Sequence, residues 1–200
     1  QTRTSTTPLY FTRSEVTADQ YAACVQAGVC GTSTFVPNTT DPTCNAGHSG
    51  RGTHPINCVD WFGADAFCGW VGGRLPTQAE WYAEASNGGA RWYPWGRTPQ
   101  AHCGLVVMDQ GGLGCGQGST GPVCNKRSGD SVSGLCDMSG NTWEWTQSSG
   151  SSGAPGTLKL VGGSWLDDLQ GLLRTTSERS RPPTLTRRDQ GFRCVRDTAP

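Results

Sequence analysis

The segment from Asp137 to Glu144 carries two carboxylates that are well placed to bind a metal ion. The residues between them are mostly small, and a turn built from small residues can direct its backbone carbonyls inward. A hard cation such as calcium takes about six to eight oxygen ligands from carboxylates, carbonyls and water. The segment is therefore suited to a hard cation, and the alternative is that both acids simply cap turns.

A second group of chemically active side chains follows Gly162-Gly163-Ser164. Loops between positions 165 and 188 are expected to display them to a partner: Trp165, Asp167, Asp168, Arg174 and Arg179. Such a groove can accept a carbohydrate, a peptide or a protein subunit, and tryptophan and arginine often dominate contacts of this kind. Truncation of Arg179 is expected to weaken binding while the melting temperature stays nearly unchanged. The alternative for Asp167 and Asp168 is a solvated or arginine-paired role.

Other catalytic patterns are absent from the sequence. His48, His54 and His102 do not have metalloprotease spacing, and His54 beside Pro55 is interpreted as structural. There is no Gly-x-Ser-x-Gly elbow and no glycine-rich phosphate loop before a helix. The sequence therefore does not support hydrolase or nucleotide-binding chemistry.

Length and charge limit the possible functions further. A chain of 200 residues can bury one substantial core, so we expect a single domain over 1–200. The formal net charge is zero, with 16 basic and 16 acidic residues, which excludes general attraction to nucleic acid or an anionic membrane. No apolar run approaches the roughly 20 residues that span a bilayer, so membrane insertion is not expected.

The chain contains ten cysteines, and none lies in a Cys-x-x-Cys pair. Disulfides are the natural use of so many cysteines, and structural disulfides persist outside the cytosol. The sequence therefore predicts an extracellular, periplasmic or cell-surface protein. Spacing alone does not assign the pairs. Asn38 begins an Asn-Thr-Thr sequon, which indicates a surface loop if the chain is exported by a eukaryote.

Three helices are predicted in the first half of the chain. Thr17 and Gln20 form a capping-box pattern for a helix near 17–28. Asp60 begins a second helix that ends at Gly72-Gly73, and Thr77 with Glu80 forms a second capping box. Residues 92–136 are rich in Gly, Pro, Ser and Cys, which predicts irregular loops held by disulfides. Short strands are predicted at 142–146, 159–161 and 192–195.

Several motifs occur together in a characteristic order over residues 14–197. They are Glu15-Val16-Thr17 with Tyr21, His54-Pro55, Val59-Asp60-Trp61, Arg74–Trp81, Tyr93-Pro94-Trp95-Gly96, Asp137–Trp145, Gly162-Gly163-Ser164-Trp165, Arg174 with Arg179, and Gly191–Cys194. In this combination the chain resembles the sulfatase-modifying-factor domain of the formylglycine-generating enzyme family. The resemblance implies an α+β, C-type-lectin-like fold with two or three helices, short strands and long structured loops.

The resemblance also implies particular site residues. The positions that match Asp137, Gly140, Thr142 and Glu144 bind calcium in the family, the two acids through side chains and the other two through backbone carbonyls. An amide is also common in the family at the first position, so the carboxylate of Asp137 would strengthen the site. The positions of Cys68 and Cys194 match a family disulfide that ties the second helix to the C-terminus.

The resemblance does not extend to the family's catalytic cysteines. Formylglycine-generating enzymes hold copper(I) with two cysteines shortly after Gly-Gly-Ser-aromatic, whereas residues 162–174 contain no cysteine and Asp167 stands at the first ligand position. Carboxylates are poor copper(I) ligands, which disfavours copper. We therefore expect a non-catalytic module that binds a protein or glycan, as a possible subunit of a larger extracellular assembly. The alternative is an oxidoreductase of the formylglycine-generating type, with an atypical site, acting on a protein cysteine.

Overall fold

A computed structural model describes residues 8–31, 41–150 and 156–199, and Asn38 lies outside these ranges. The architecture is α+β, as expected. After one short N-terminal strand, three helices follow in the chain: α1 at Ala18–Gln26, α2 at Trp61–Trp70 and α3 at Gln78–Ala85. Short strands follow, in two sheets, with long irregular connections between them.

The three helices begin at the predicted caps. The Thr17 hydroxyl accepts a hydrogen bond from the backbone N–H of Gln20, and the Gln20 side chain accepts one from Thr17, which completes the capping box. Thr77 and Glu80 form the same reciprocal pair for α3. The Asp60 carboxylate accepts the N–H of Gly63 at 2.9 Å and caps α2. Because these caps satisfy otherwise unpaired N–H groups, the polar residues identify the helix starts.

The larger sheet has four strands in the order β4-β3-β2-β5. The strands β2 (Trp143–Ser149), β3 (Leu158–Val161) and β4 (Glu178–Arg181) pair antiparallel, and β5 (Gln190–Gly191) pairs parallel with β2. A second sheet joins β1 (Tyr10–Phe11) to β6 (Val195–Arg196). The β2–β5 pairing places the C-terminal segment directly beside the Asp137–Glu144 turn.

The prediction of one strand at 192–195 was wrong. Residues 192–194 lie between β5 and β6, which belong to different sheets, and only Val195 of the predicted strand belongs to β6. The prediction also missed β4, whose sequence Glu-Arg-Ser-Arg shows no apolar alternation. β4 forms an edge of the larger sheet, and edge strands are commonly charged.

The loop region 92–136 contains one short 3₁₀ turn, at Arg127–Gly129, and neither an α-helix nor a β-strand. Two disulfides hold it, Cys103–Cys115 and Cys124–Cys136. The other three bridges are Cys24–Cys30, Cys44–Cys58 and Cys68–Cys194. The last of these is the bridge that the family resemblance implied, and it joins residues 126 positions apart.

All ten cysteines are therefore paired. Five disulfides fit a protein of an oxidising, non-cytosolic compartment. No helix in the described ranges has the length and apolar character needed to cross a bilayer.

The main core lies where α1 and α2 pack against the larger sheet and the C-terminal segment. Tyr21, Phe67 and Phe192 contact one another there, with ring centroids 5.6–6.3 Å apart. Trp143 and Trp145 of β2 are buried in the same cluster. Trp81 of α3 packs in a separate cluster with Met138 and Val161. Through Trp81, α3 is fixed against the turn that precedes β2.

We predict that removing the long-range bridge costs more stability than removing a local one. The pair of substitutions Cys68→Ala and Cys194→Ala should lower the free energy of unfolding by about 5 kcal/mol, because it frees a long loop in the unfolded chain. The matched pair Cys103→Ala and Cys115→Ala should cost about 3 kcal/mol, since that bridge spans only 12 positions. Denaturant unfolding measures both, and equal losses would contradict the expected dependence on loop length.

Candidate functional site

The Asp137–Glu144 turn has a tightly constrained backbone. Asp137, Gly140 and Asn141 have φ values of 57°, 75° and 58°, in the left-handed region. A Cβ at Gly140 would lie 2.2 Å from Val106 Cγ2 and 2.5 Å from the Val107 carbonyl oxygen, so only glycine fits. The backbone N–H of Asn141 donates a hydrogen bond to the Val107 carbonyl, which fixes the turn against the preceding loop. The orientation of the turn's carbonyls is thus set by packing.

Glu144 is the most heavily paired carboxylate of this turn. It is buried and receives two hydrogen bonds of 2.7 Å from the guanidinium of Arg193, which is fully buried. The indole N–H of Trp81 donates to the same carboxylate at 2.8 Å. Arg193 also donates to the Cys136 carbonyl at 2.8 Å. Three of the roughly four acceptor positions of Glu144 are therefore in use.

Glu15 is a third buried acid at the turn. Its Oε1 accepts hydrogen bonds from the backbone and hydroxyl of Thr142, at 2.9 and 2.6 Å. Its Oε2 accepts from the Asn141 side chain at 2.7 Å. Asp137 accepts the Cys124 N–H at 2.6 Å. Glu15, Asp137 and Glu144 thus form an acid cluster, and the guanidinium of Arg193 interacts electrostatically with all three acids.

Burial and mutual repulsion raise the pKa values of two acids of the cluster. Burial, followed by repulsion from Asp137 and Glu144, holds the pKa of Glu15 well above its usual range. Burial is also the largest cause that raises the pKa of Asp137 to about 6, against the pull of the Cys124 hydrogen bond and of Arg193. Excess negative charge in a buried site favours either protonation or a bound cation.

The acid cluster fits a calcium ion in charge and in donor type. Carboxylates and backbone carbonyls are hard oxygen donors, and one acceptor position on Glu144 is unused. In the described ranges, however, no three acidic, histidine or cysteine side chains converge as a set ready to hold a metal. Calcium binding by Asp137, Gly140, Thr142 and Glu144 would therefore rely on backbone carbonyls and water for most of its ligands.

Asp167 organises a second buried network, after the Gly162-Gly163-Ser164 turn. Its Oδ2 accepts hydrogen bonds from the Trp143 indole at 2.8 Å, the Ser164 N–H at 2.9 Å and the Ser164 hydroxyl at 2.8 Å. Its Oδ1 accepts from Arg179 at 2.6 Å. Four donors therefore surround a carboxylate that is only 5% exposed. Hydrogen bonds from four donors hold the carboxylate in one orientation.

Arg179 closes this network from the outer side. Its guanidinium carbon lies 4.4 Å from the centre of the Trp143 ring, in cation–π geometry. A second acid, Asp189, lies 3.7 Å from Arg179. Arg179 extends from β4, the strand that the sequence did not predict, so its contact with Asp167 was not expected from its position in the chain.

The structure corrects the expected ligand groove at two positions. Trp165 is fully buried, and its indole donates to the Arg188 carbonyl at 3.0 Å, so it is not displayed to a partner. Asp167 is buried as described above. Arg179 is only partly exposed and bridges β4 to Asp167, so we now expect its truncation to lower stability. Asp167 is instead arginine-paired, which was the alternative interpretation.

Asp168 is exposed and Arg174 is half-buried. Arg174 lies beside a tryptophan that sequence analysis overlooked. Trp92 is 48% exposed, and the guanidinium carbons of Arg174 and Arg97 lie 4.9 and 5.6 Å from its ring centre. The backbone N–H of Thr175 donates to the Trp92 carbonyl, and the Tyr93 hydroxyl donates to the Gln170 carbonyl, so the chain after Leu169 runs beside residues 92–93. We call Trp92, Arg97, Asp168, Leu169 and Arg174 the Trp92 surface. Leu169 is 62% exposed.

Comparisons with known proteins place these features in a family context. Residues 1–198 match the Sulfatase-modifying factor enzyme 1-like domain. The chain is 33% identical over 152 residues to the inactive C-alpha-formylglycine-generating enzyme 2 of Mus musculus, which covers 70% of this chain and 48% of the relative. It is 32% identical over 178 residues to the formylglycine-generating enzyme of Streptomyces coelicolor, covering 74% of this chain and 54% of that protein. The chain thus spans about half the length of these relatives.

A solved structure supports the fold. PvdO from Pseudomonas aeruginosa superposes with a TM-score of 0.75 and 23% identity, over 96% of this chain and 81% of that one. At this level of identity, the likeness concerns the fold alone.

We predict that ionisation of Asp137 lowers the free energy of unfolding as the pH rises. Its folded-state pKa of about 6 lies above the ordinary value of 3.8, so the folded protein holds this proton more tightly than the unfolded chain does. Its contribution to stability should be present at low pH and should be lost as pH rises through about 6. Denaturant unfolding in chelator at pH 5 and 7.5 should show this, and Asp137→Asn should flatten it. An unchanged slope in the variant would contradict the assignment.

We also predict that Arg179 stabilises the fold. Arg179→Gln leaves the Asp167 carboxylate without its counter-charge and should lower the free energy of unfolding by about 1–3 kcal/mol, a range that allows for partial exposure of the arginine. Arg181→Gln, on the same strand, is the matched control and should change stability by less than about 0.5 kcal/mol. Equal stability of the two variants would rule out the bridging role.

Proposed function

Because the chain belongs to the sulfatase-modifying factor enzyme 1-like domain family, we propose that it uses a C-type-lectin-like scaffold to bind a protein or glycan partner, without oxidase chemistry. The observation that carries the proposal is the environment of Asp167. This residue stands where the family resemblance requires the first copper(I) thiolate, and its carboxylate already accepts four hydrogen bonds.

The cysteine inventory supports the same conclusion. All ten cysteines are paired in bridges, and none of them lies between positions 162 and 174. Copper(I) prefers soft thiolate ligands, so the donors present near Ser164 suit it poorly. The relative described as an inactive enzyme is consistent with a family scaffold that persists without the activity.

The Trp92 surface is the contact region that we propose for the partner. It combines an exposed indole, an exposed leucine, two arginines and one acid. Tryptophan and arginine are enriched among residues that dominate binding energy, and leucine adds apolar area. Packing by the two guanidiniums holds Trp92 in place, which lowers the entropy lost on binding.

Calcium, in this proposal, supports the scaffold. Asp137 and Glu144 would bind it through carboxylates, and Gly140 and Thr142 through backbone carbonyls. The ion would neutralise the acid cluster, whose charge Arg193 balances only in part. The five disulfides favour an extracellular, periplasmic or cell-surface location for such a protein, where free calcium is abundant enough for weak sites to fill.

An oxidoreductase function is the competing candidate, and the 32% identity to the Streptomyces coelicolor enzyme is the observation in its favour. Oxygen consumption on a cysteine-containing peptide with added copper tests it directly. We expect no turnover above the rate with a peptide that carries serine in place of cysteine. Sustained turnover would refute the binding-module proposal.

We predict that calcium raises the melting temperature. At a hundredfold excess over its dissociation constant, a ligand stabilises the folded state by about 2.7 kcal/mol. The gain should be larger at pH 7.5 than at pH 5, because protons compete for Asp137. Asp137→Asn should reduce the gain, and it is a cleaner variant than Glu144→Gln, which also leaves the buried Arg193 charge uncompensated. A melting temperature that is the same in calcium and in chelator would exclude the site.

We predict that the Trp92 surface carries partner affinity. Trp92→Ala should weaken capture of a partner, found on glycan arrays or by co-purification, by about 2 kcal/mol. Phe62→Ala is the matched control, because Phe62 is equally exposed, at 49% against 48%, and lies on α2. Both variants should keep the wild-type melting temperature within a few degrees. A partner that binds Trp92→Ala as tightly as the wild type would remove this surface from the proposal.

A further inference from the structure

A cavity of about 580 Å³ opens beside β1, and none of its lining residues belongs to the Trp92 surface or is an acid of the acid cluster. The chain segment around β1 forms one wall, α1 forms a second wall, and the C-terminal end of α2 forms the third. Cys194 and Arg196, from the C-terminal segment and β6, line the remaining side. Its volume lies within the range of roughly 300–1,000 Å³ that is typical of small-molecule sites.

Aromatic rings dominate the walls. Tyr10, Phe11, Phe67 and Trp70 all line the cavity. Phe67 and Trp70 pack edge to face, with centroids 5.7 Å apart, so both rings are fixed before any ligand arrives. Tyr10 and Trp70 are each 41% exposed, which is a large apolar area for two neighbouring positions to leave in water. A planar apolar group would remove that area from solvent and would stack or pack edge-on against the rings.

The charged residues that line the cavity are all basic. Arg13 and Arg196 line it, and no aspartate or glutamate is among its lining residues. Arg196 donates one hydrogen bond to the Val71 carbonyl, and it forms no ion pair within the part of the chain that the structure describes. Arg13 is 55% exposed, with its nearest acid, Asp130, 4.0 Å away. Arg13 also donates a hydrogen bond to the Gly134 carbonyl at 3.3 Å. Arg196 is therefore the lining arginine that has no acidic partner among the described residues, in a cavity lined largely by aromatic and aliphatic side chains.

We infer that this cavity binds a small aromatic carboxylate, with the ring between Tyr10, Phe67 and Trp70 and the carboxylate paired with Arg196. The guanidinium presents two parallel N–H groups that match the two oxygens of a carboxylate. A multiply charged phosphate fits less well, because the apolar walls would desolvate charge that the two arginines do not balance. The site is separate from the proposed partner surface and does not depend on that function.

The chemistry can be tested with 2-naphthoate and its neutral isostere 2-naphthamide, by isothermal titration and by shifts of the indole N–H signals in NMR spectra. We expect 2-naphthoate to bind with one-to-one stoichiometry, about fivefold or more tightly than the amide, with the Trp70 signal moving most. Trp70→Ala should weaken binding about tenfold through lost apolar contact. Arg196→Gln should weaken 2-naphthoate only, until its affinity equals that of the amide.

Two control variants separate the cavity from general surface effects. Phe62 lies on α2, as Trp70 does, but it does not line the cavity. Phe62→Ala therefore removes a ring of similar exposure, 49% against 41%, from the same helix. Arg91→Gln removes a guanidinium that, like that of Arg196, donates to a backbone carbonyl. Both should bind 2-naphthoate within about twofold of the wild type.

Three outcomes would overturn the inference. They are the absence of saturable binding, equal affinity for the acid and the amide, and wild-type binding by Trp70→Ala. A concentration-dependent dimer that Trp70→Ala abolishes would show instead that a second copy of the chain covers the cavity. None of these results bears on the Trp92 surface, so failure here and failure of the proposed function are distinguishable.

Discussion

The buried ion pair between Glu144 and Arg193 is the constraint on which the rest of the structure depends. It joins β2 to the C-terminal segment, and its remaining hydrogen bonds reach Trp81 of α3 and the Cys136 carbonyl. Removing either partner would leave an uncompensated charge in the interior, which is among the costliest changes a fold can suffer. The packing of α3, β2 and the loop region around this pair therefore keeps both charges paired and buried.

Helix starts and the long-range disulfide could be predicted from the sequence, whereas the contacts of the site could not. Caps such as Thr17, Asp60 and Thr77 act within three residues, so their signal is local. The pairing of Cys68 with Cys194 was implied by family resemblance and not by spacing. The strand that carries Arg179 lacks an apolar pattern, because its side chains form ion pairs at a sheet edge. The burial of Trp165 depends on a distant carbonyl that no local motif reveals.

Under the function that we propose, a single position would allow the scaffold to keep its shape without the family reaction. At Asp167 a carboxylate occupies the place where the family resemblance requires a thiolate, and Trp143, Ser164 and Arg179 supply its donors. The side chains that would surround a metal ligand at this position here surround the ion pair of Asp167 and Arg179. These donors stabilise the fold through the Asp167 carboxylate. A cysteine placed at this position would therefore also have to satisfy the same donors.

Four of the five disulfides close loops of 6 to 14 residues, and each cross-link therefore confines the segment that it encloses. Within such a segment, the backbone path is held by a covalent bond and not by the identity of every side chain. Sequence drift at exposed positions inside one loop should leave its neighbours and the central ion pair undisturbed, whereas buried positions such as Val106 and Val107, which fix the Gly140 turn, are not free to drift. In evolutionary terms, the domain resembles a fixed frame with independently variable inserts, an organisation on which new specificities can be selected without a new fold.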